Sequence, residues 1–508
     1  MLNFIDGLLN RITMYRLVLY FLIFLLLAAE ALCAFGILPY APLALLFSTF
    51  ILVATCWIVN TIFARVFKVQ TNIESAYITA LILALIIDPP QATNLFSNFG
   101  FLFWAASLAM ASKYLLAIKG KHIFNPAAVA VAITALTVSQ SASWWVGSAS
   151  MLIFVALGGY LVIRKVQRSD AVISFLVVAL TTTLAYTFTA ANPFTTVYRV
   201  VLDSPLIFFA AIMLTEPLTM PPTKTRQVLY AALVGFAFAP QVHIGSFYFS
   251  PELALLIGNI FSYVISPKGK YVMTLSAKEK VAEGVYHFTF MPDKKLSFKP
   301  GQYLEWTLGH DHPDTRGNRR YFTIASSPTE DAVMLGVKFY EKPSTFKQKL
   351  LSLKPGDTVM AAQLAGGFVL PKDPNKKLVF IAGGIGITPF RSMLKYLTDH
   401  NEKRSITMIY SSATAEEVAY YDVFKAAAQK LGVNTIFTFT DKAKVDPKWQ
   451  GHTGYVDAAM ITQDIPDYRD RTFYVSGPHS LITASENVLA GMGIPKSQIK
   501  TDFFPGLA

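Results

Sequence analysis

The sequence predicts a helical membrane bundle followed by a soluble antiparallel β-barrel and a soluble α/β domain. A chain of 508 residues is long enough for three domains of roughly 150 residues each. Hydrophobic residues make up 53% and charged residues 15%, a balance that is unusual for a wholly soluble protein. Residues 1–266 carry only 13 Lys/Arg and 8 Asp/Glu, so most of the charge falls in residues 267–508. The two halves are therefore expected to face different solvents.

Long apolar runs in the first half predict about ten membrane-spanning helices. A span needs about 20 apolar residues to cross a hydrocarbon core of roughly 30 Å. The first run is longer than the core of a signal peptide and lacks a clean cleavage site, so we expect it to remain as a helix. The runs lie near residues 14–37, 41–64, 73–88, 96–117, 124–140, 144–164, 170–190, 200–220, 226–242 and 250–266.

Lysine and arginine in the short loops predict the orientation of these spans. Threading the chain through ten spans puts almost every such cation on one side, and only Arg199 on the other. The cationic side is cytoplasmic by the positive-inside rule. The amino terminus and the soluble half are therefore expected in the cytoplasm, with the chain in the inner membrane. The cations on the cytoplasmic side are Arg11, Arg16, Arg65, Lys68, Lys113, Lys119, Lys121, Arg164, Lys165, Arg168, Lys224, Arg226, Lys268 and Lys270.

The composition becomes that of a soluble protein near Ser266-Pro267-Lys268-Gly269, which we take as the first domain boundary. Short β-prone runs then predict an antiparallel barrel over 267–372. From Leu378 onward, alternating strands and helices predict a parallel sheet over 373–508. The predicted strands are 272–274, 285–290, 303–308, 321–325 and 333–340 in the barrel, and 378–382, 406–410, 434–440 and 472–475 in the parallel sheet, with a helix over 389–398.

Composition also excludes several classes of site. Cys33 and Cys56 are the two cysteines, too few for an iron–sulfur cluster held by this chain or for a disulfide framework. The chain shows no basic stripe with interleaved aromatic residues, so nucleic acid is not an expected partner. We predict no metal site.

The first chemical motif is Arg320-Tyr321-Phe322-Thr323, followed closely by Ser326-Ser327-Pro328. Arg320 offers a planar fork of donors that suits a pyrophosphate. Phe322 can pack against a flat ring system, and the Thr323 hydroxyl can donate to or accept from a ring nitrogen. Taken alone, Arg320 is explained as well by a surface cation and Phe322 by a barrel core residue.

The second motif is the turn Gly383-Gly384-Ile385-Gly386, which lies between a buried strand and a helix that Pro389 opens. Backbone amides at such a turn, together with the helix dipole, favour a phosphate. Thr388 is placed to donate to that phosphate or to support the turn. A lone glycine turn would usually be only a turn.

Five motifs in order resemble the ferredoxin-NADP reductase family across 268–508. They are Pro300-Gly301-Gln302-Tyr303, the arginine motif at 320–328, Gly366-Gly367-Phe368, the glycine turn at 382–390, and Tyr474-Val475-Ser476-Gly477-Pro478. The resemblance implies FAD and NADH or NADPH as cofactors. The implied FAD-binding residues are Arg320, Tyr321, Phe322, Thr323, Ser327 and Gly367, and the implied nucleotide-binding residues are Gly383, Gly384, Gly386, Thr388, Pro389, Ser411, Gly477 and Pro478.

The same resemblance implies catalytic roles for Thr323, Ser476 and Asp502. Ser476 stands where the family has cysteine, which keeps a small polar group near the nicotinamide. Asp502 is expected near flavin N5, with Phe503 or Phe504 covering the flavin, although a plain packed terminus explains this segment equally well. The loop 410–417 carries hydroxyls and acids but no Arg, which favours NADH and leaves NADPH open.

Two polar stretches in the membrane half resemble the NqrB/RnfD family, whose members belong to the sodium-translocating NADH:quinone oxidoreductase and to the Rnf complex. They are Lys121-His122-Ile123-Phe124-Asn125-Pro126-Ala127 and Leu214-Thr215-Glu216-Pro217. Polar groups within spans are typical of functional sites. The resemblance implies FMN or riboflavin in the bundle, bound by Lys121, His122, Asn125, Thr215 and Glu216.

Acid–proline breaks at Asp88-Pro89 and Glu216-Pro217 lie five spans apart, as an inverted repeat would place them. Proline-terminated packing helices with interfacial acids are the alternative explanation. The family's threonine motif for covalent FMN is absent from 190–196, so we expect a noncovalent flavin. Thr195 or Thr196 remains a remote alternative for attachment.

Together these features predict a transmembrane oxidoreductase that passes electrons from NAD(P)H through FAD and a membrane flavin to a quinone or an extracytoplasmic flavoprotein. Membrane lipid is an expected partner, and the resemblance also implies ion coupling and partner subunits. A haem-bearing ferric reductase or NADPH oxidase is the main alternative. Two stacked haems need four axial ligands, whereas only His122 and His243 precede residue 268. A transporter with a regulatory nucleotide-binding domain is a second alternative.

Overall fold

The computed structural model describes residue 9 and residues 12–67, 73–118, 121–188, 193–266, 270–310, 314 and 317–502. The chain divides into two compact units, one within residues 1–266 and the other within residues 267–504. One large apolar core fills the first unit, and three smaller cores fill the second. Helices dominate the first unit, whereas two sheets form the second.

The first unit is a bundle of helices that break at polar and proline-rich segments. Residues 79–86 of one short helix, Ile73–Ile86, are all buried, as expected of a helix that is apolar on every side. Two short hairpins pair β1 (Ala117–Ile118) with β2 (Lys121–His122) and β3 (His243–Ile244) with β4 (Phe247–Tyr248). The helices are α1 (Met14–Ala34), α2 (Pro42–Val66), α3 (Ile73–Ile86), α4 (Phe99–Leu115), α5 (Pro126–Val138), α6 (Leu152–Val166), α7 (Ser169–Thr187), α8 (Pro193–Leu202), α9 (Leu206–Phe208), α10 (Lys224–Phe238) and α11 (Pro251–Ile265).

Three helices of the described chain, α1, α2 and α7, are long and apolar enough to cross a membrane. A fourth candidate span is the pair Phe194–Leu202 and Leu206–Met213, which is bent by 62°. The prediction of about ten spans is therefore not confirmed. The difference arises because prolines and polar residues shorten or divide several apolar runs.

Two predicted spans illustrate this shortening. The run 144–164 begins with a short 3-10 turn, Trp145–Gly147, and becomes α-helical only at Leu152. The run 200–220 is interrupted before Leu206 and then continues as a π-helical turn over Phe209–Met213. Inserted turns of this kind are often found at functional sites.

The second unit begins with a six-stranded antiparallel sheet in the order β8-β7-β10-β5-β6-β9. All five predicted barrel runs overlap strands, whereas β10 and the helix α12 were not predicted. Pairing within the described chain does not close the sheet, so a full barrel is not confirmed. The elements are β5 (Lys270–Ala282), β6 (Val285–Pro292), β7 (Tyr303–Thr307), β8 (Arg319–Thr323), β9 (Val333–Lys338), α12 (Thr345–Ser352) and β10 (Thr358–Ala365).

A six-stranded parallel sheet follows, in the order β14-β13-β12-β11-β15-β16. The four predicted strands and the predicted helix are present, whereas the short edge strands β14 and β16 were not predicted. The elements are β11 (Leu378–Gly383), α13 (Thr388–Asp399), β12 (Ile406–Ser412), α14 (Tyr421–Leu431), β13 (Asn434–Phe439), β14 (His452–Thr453), α15 (Ala458–Asp464), β15 (Thr472–Ser476), α16 (His479–Gly491) and β16 (Ile499–Thr501).

Two turns meet at the carboxyl edge of this sheet, where β11 and β15 lie side by side with Ala382 opposite Ser476. A Cβ added to Gly386 would lie 2.4 Å from the Ser476 carbonyl oxygen and 2.5 Å from the Gly477 backbone. A Cβ added to Gly477 would lie 3.1 Å from the backbone of Gly383. The backbones approach this closely because both turns contain glycine where they meet.

We expect Gly386→Ala to destabilise the second unit because its methyl group would overlap backbone atoms that cannot rotate away. Overpacking of this kind typically costs about 1–3 kcal/mol, which lowers a thermal midpoint by roughly 2–10 °C. Gly491→Ala is the matched control, since a Cβ there meets nothing within 4 Å. Differential scanning fluorimetry of the purified protein measures both midpoints. Equal midpoints for the two variants would contradict the close contact between the turns.

Candidate functional site

The guanidinium of Arg320, at the second position of β8, is buried and fully engaged within the chain. It donates to the carbonyl oxygens of Gly317 and Arg319 at 2.9 and 2.7 Å, and to Asp314 Oδ1 at 2.9 Å. It also stacks over the Phe346 ring, 5.1 Å from its centroid. The arginine that was predicted to bind a phosphate therefore already binds the carboxylate of Asp314.

The other side chains of the arginine motif alternate between the two faces of β8. Phe322 lies against Phe346 with ring centroids 6.0 Å apart, next to the core of the antiparallel sheet. On the opposite face, the Tyr321 hydroxyl donates to Glu305 Oε2 at 2.9 Å. Ser327 is completely buried, and its N–H donates to Glu330 Oε2 at 2.6 Å. The motif is thus built into the sheet and its following turn.

The glycine turn joins β11 to α13 at the carboxyl edge of the parallel sheet. A Cβ added to Gly384, which has φ +49°, would meet nothing within 4 Å, and the same holds for Gly367 after β10. Such openings let a ligand approach the backbone. Thr388 begins α13 and donates to the Ile385 carbonyl oxygen at 3.2 Å, while Pro389 occupies the first turn of the helix. Ser411 lies at the same edge, opposite Gly383 in the register of β12.

Thr323, Ser476 and Asp502 come together although they are far apart in the sequence. The Ser476 hydroxyl donates to Asp502 Oδ2 at 3.2 Å, and the Thr323 hydroxyl also hydrogen-bonds the Asp502 carboxyl. The Asp502 N–H donates to the Val475 carbonyl oxygen at 2.9 Å, which holds the carboxyl beside the end of β15. All three side chains are buried. The three predicted catalytic residues thus form one cluster between the two sheets.

Burial raises the pKa of the Asp502 carboxyl to about 7, and the hydrogen bonds from Ser476 and Thr323 oppose that rise. The carboxyl is therefore protonated below about pH 7 and ionised above it. An acid with a pKa near neutrality can hold or release a proton under physiological conditions.

In the first unit, Glu216 lies at the centre of a polar cluster. Its Oε2 accepts hydrogen bonds from Asn125 Nδ2 at 2.9 Å and from the Thr219 hydroxyl at 3.2 Å. Its Oε1 lies 3.4 Å from His122 Nε2. Asn125 also caps α5 through its Oδ1, and its N–H donates to Asn259 Oδ1 at 2.8 Å. Two stretches that are about 90 residues apart in sequence therefore meet at one carboxylate.

A cleft opens beside this cluster. Small-molecule sites are mostly apolar with a few polar groups, and the lining of this cleft follows that pattern. Its polar lining consists of Tyr15, Ser75, Thr79, Asn125, Thr215 and Glu216, and its apolar lining comes from α1, α3, α5 and α6 and from residues 212–217. The Thr215 hydroxyl donates to the Ala211 carbonyl oxygen at 2.7 Å.

Two further residues of this region, Lys113 and Asn259, were not assigned to the site from the sequence. Lys113 reaches the wall of the cleft, where its Nζ donates to the Ser75 carbonyl oxygen at 2.9 Å and lies 3.2 Å from the Ser75 hydroxyl. Asn259 lies inside the apolar helix α11 and is completely buried. A polar amide within an apolar run is the signal that could have identified Asn259.

The side chains of two predicted site residues, Lys121 and Phe503, lie outside the described part of the chain. The side chain of Lys121 lies outside the described residues, although its backbone belongs to β2. Phe503 also lies outside the described residues, as do residues 190–192 of the segment considered for covalent attachment.

Two family models match the chain. Residues 380–487 match the oxidoreductase NAD-binding domain, and residues 142–270 match the NQR2, RnfD, RnfE family. The first match contains the glycine turn, α13 and β15, and the second contains Glu216. The predicted fusion of an NqrB/RnfD-like membrane region with a ferredoxin-NADP reductase-like domain is thereby confirmed, as is the prediction of an oxidoreductase.

Curated relatives match the second unit. The glycine betaine monooxygenase reductase subunit of Pseudomonas aeruginosa is 25% identical over 221 residues, which cover 43% of this chain and 59% of the relative. The flavohemoprotein of Bacillus subtilis is 27% identical over 236 residues, which cover 45% of this chain and 58% of the relative. The chain spans about three fifths of the length of these relatives.

Solved structures resemble the same region at lower identity. The FAD/NAD-binding domain of nitric oxide dioxygenase from Vibrio cholerae is 20% identical with a TM-score of 0.41, covering 46% of this chain and 98% of that one. The cytochrome b5 reductase domain of Ulva prolifera nitrate reductase is 21% identical with a TM-score of 0.41, covering 47% of this chain and 98% of that one.

The raised pKa of Asp502 predicts a pH dependence of stability. The folded pKa of about 7 exceeds the ordinary value, so folding favours the protonated carboxyl. Stability from this group is greatest at low pH and is lost as the pH rises from about 4 to about 7. Asp502→Asn should remove that loss: its thermal midpoint should exceed that of the wild type at about pH 8 and should show a smaller advantage at about pH 5. A constant difference between the two midpoints would refute the assignment.

Proposed function

We propose that this chain, which joins an NQR2, RnfD, RnfE-type membrane region to a ferredoxin-NADP reductase-like oxidoreductase domain, transfers electrons from cytoplasmic NADH or NADPH through FAD to a membrane-embedded flavin. The final acceptor is then a quinone or an extracytoplasmic flavoprotein. The proposal places the membrane region at 1–266, the FAD domain at 267–372 and the nucleotide domain at 373–508. FAD, when bound, supplies a ring that accepts a hydride and passes electrons on singly.

The convergence of Thr323, Ser476 and Asp502 carries the proposal. Thr323 ends the arginine motif that we assign to FAD, while Ser476 ends the strand beside the glycine turn that we assign to the nucleotide. Their hydroxyls share one buried carboxyl. A small polar cluster between two cofactor motifs, shielded from water, is what a hydride-transfer site requires. Asp502 would hold a proton there, and Thr323 would orient the flavin ring.

Arg320 is assigned to the FAD pyrophosphate, because a guanidinium fork matches phosphate geometry. Its buried ion pair with Asp314 at 2.9 Å means that a phosphate would take the place of that carboxylate. The open backbone positions at Gly367 and Gly384 are consistent with cofactors lying against the chain there. Tyr321, Phe322 and Ser327 would then shape the flavin side of the site, and Gly477 and Pro478 the nucleotide side.

The loop after β12 supports NADH as the donor. Nucleotides lie at the carboxyl ends of parallel strands, where an acid typically bonds the free ribose and a cation accommodates a 2′-phosphate. Here Glu416 is exposed, and Glu417 Oε2 pairs with Lys338 Nζ at 2.7 Å and accepts from the Ala413 N–H at 3.4 Å. Lys338, one of the cations near this loop, is therefore already neutralised.

Reversing the charge of this loop should shift the choice of nucleotide. We expect Glu416→Arg to raise the ratio of kcat/KM for NADPH to that for NADH by at least about tenfold, because one added ion pair with a phosphate contributes a binding energy of that order. Asp470→Arg is the matched control, since Asp470 is exposed at the opposite edge of the same sheet. Steady-state dye reduction with both nucleotides measures the ratio. An equal shift in the control would indicate a general charge effect.

The cleft beside Glu216 is the proposed site of the membrane flavin. Asn125, Thr215 and Glu216 line it, and His122 contacts Glu216 from outside the lining. Amide and carboxylate groups can bond the polar edge of a flavin ring, while the apolar lining packs against its faces. We propose noncovalent FMN or riboflavin here, in a bundle of about ten spans with its amino terminus in the cytoplasm. Ion coupling and partner subunits belong to the same proposal.

Glu216→Gln should separate the two halves of the reaction. Dye reduction by NADH depends on the second unit and should be unchanged, whereas reduction of a quinone analogue should fall at least about tenfold because the flavin site loses its charge. Glu74→Gln is the control, since Glu74 is a membrane-half acid that pairs with Arg16 and does not line the cleft. Parallel loss of both activities in Glu216→Gln would indicate misfolding and would count against a separate membrane site.

The haem alternative is less well supported. Two stacked haems require four axial ligands, and His122 and His243 are the histidines before residue 268. His122 contacts Glu216, while His243 Nδ1 lies 2.8 Å from the Gly245 carbonyl oxygen and its ring stacks on Tyr248.

A further inference from the structure

A buried ion pair ties the segment after the arginine motif to the helix after the glycine turn. The guanidinium of Arg391, in α13, binds Glu330 through both of its terminal nitrogens. Nη1 pairs with Oε2, and Nη2 donates to Oε1 at 2.9 Å. Nη1 also donates to the Ala325 carbonyl oxygen at 3.1 Å. The next residue, Ser392, donates through its hydroxyl to the Ser326 carbonyl oxygen at 2.6 Å. Four hydrogen bonds, two of which form one ion pair, thus join two short segments.

Glu330 completes the connection on the side of the antiparallel sheet. Its Oε2 accepts the Ser327 N–H at 2.6 Å, so one carboxylate holds both the turn at 325–330 and the guanidinium. Arg391 is 6% exposed and the Glu330 side chain 17%, so water screens the pair little. Bidentate pairing of this kind fixes direction as well as distance.

Thr388, which follows the glycine turn, lies on the same face of α13 as Arg391 and Ser392. Thr388 lies three residues before Arg391 and four before Ser392, and residues with these spacings are neighbours on one side of a helix. A second contact lies beside it: a Cβ on Gly336 of β9 would approach Thr388 Cγ2 to 2.8 Å and the Tyr420 hydroxyl to 2.5 Å. The start of α13 is therefore held against the antiparallel sheet at two points.

We propose that Arg391 and Glu330 are positioning residues that set the register between the flavin segment and the nucleotide turn. This inference rests on the proposed function, because it assigns the two segments to the two cofactors. Neither residue touches the reacting atoms. The pair acts through Ala325, Ser326 and Ser327 on one side and through Thr388 on the other. Hydride transfer is sensitive to donor–acceptor placement, and a displacement of about 1 Å can cost 100-fold in rate.

Arg391→Lys and Glu330→Gln test this role. Lysine keeps the positive charge but loses the fork, and glutamine keeps the shape but loses the negative charge. In each variant of the full-length, FAD-loaded protein, we expect unchanged FAD content and a KM for NADH within about threefold of the wild type. The rate of flavin reduction at saturating NADH should fall at least about tenfold. The double variant should lose little more than the worse single variant, because both changes break one interaction.

A second readout does not depend on activity. Hydrogen–deuterium exchange of the segment 325–334 should accelerate in both variants, since the Ser327 N–H depends on a Glu330 that Arg391 holds in place. Lys377→Met is the matched control: Lys377 forms an ion pair with Asp467 at 2.8 Å in the same domain but is 43% exposed. It should change neither the rate nor the exchange.

Different outcomes separate the two proposals. A wild-type protein that reduces its flavin with neither NADH nor NADPH would refute the proposed function. A wild type that does, combined with unchanged rate and exchange in Arg391→Lys and Glu330→Gln, would overturn the positioning role alone. FAD lost in proportion to activity in both variants would also overturn it, because it would show that the pair only stabilises the fold.

Discussion

The close approach of two backbone turns at the carboxyl edge of the parallel sheet is the constraint on which the site in the second unit depends. Gly386 and Gly477 leave no room for side chains there, so the ends of β11 and β15 meet. Ser476 is then held beside the start of α13, and β16, which pairs with β15, delivers Asp502 to the same edge. A bulkier residue at either turn would separate the glycine turn from the cluster of Thr323, Ser476 and Asp502.

Each unit also has to keep a carboxyl group in surroundings poor in water. In the second unit, Asp502 is surrounded by two hydroxyl groups, and its raised pKa lets the group become neutral near pH 7. In the first unit, Glu216 is held by an amide, a hydroxyl and an imidazole. Hydrogen bonds supply part of what water would otherwise provide, because an unpartnered buried charge is very costly. The two sites therefore share a physical problem and differ in the donors that resolve it.

Much of the second unit can be predicted from the sequence, because its strands and turns are local patterns. The glycine turn and the strands from Leu378 onward lie almost to the residue where the pattern predicts them. The edge strands β14 and β16 escape prediction because two or three residues carry no periodicity. Breaks in the membrane helices, such as the π-helical turn before Leu214, depend on packing between helices, which an apolar run does not reveal. For the same reason the sequence points to Arg320 but not to Arg391, whose partner lies 61 residues away.

The contrast between those two arginines explains how an interface between sheets can hold two segments together and still have a side chain that can bind a ligand. Arg391 meets both oxygens of Glu330, which is itself bound to a backbone amide, so both terminal nitrogens of the guanidinium and both oxygens of the carboxylate have partners within the chain. Arg320 meets one oxygen of Asp314 and two carbonyl groups that belong to its own turn. A dinucleotide pyrophosphate carries two negative charges and a carboxylate carries one, so a bound pyrophosphate would compete with Asp314 for Arg320. Replacing Glu330 would instead remove the ion pair that joins the turn at 325–330 to α13. A buried ion pair contributes little net stability. The proposed roles follow from the partners: the bidentate pair of Arg391 fixes direction as well as distance, whereas the single carboxylate oxygen that Arg320 binds could be replaced by a phosphate oxygen.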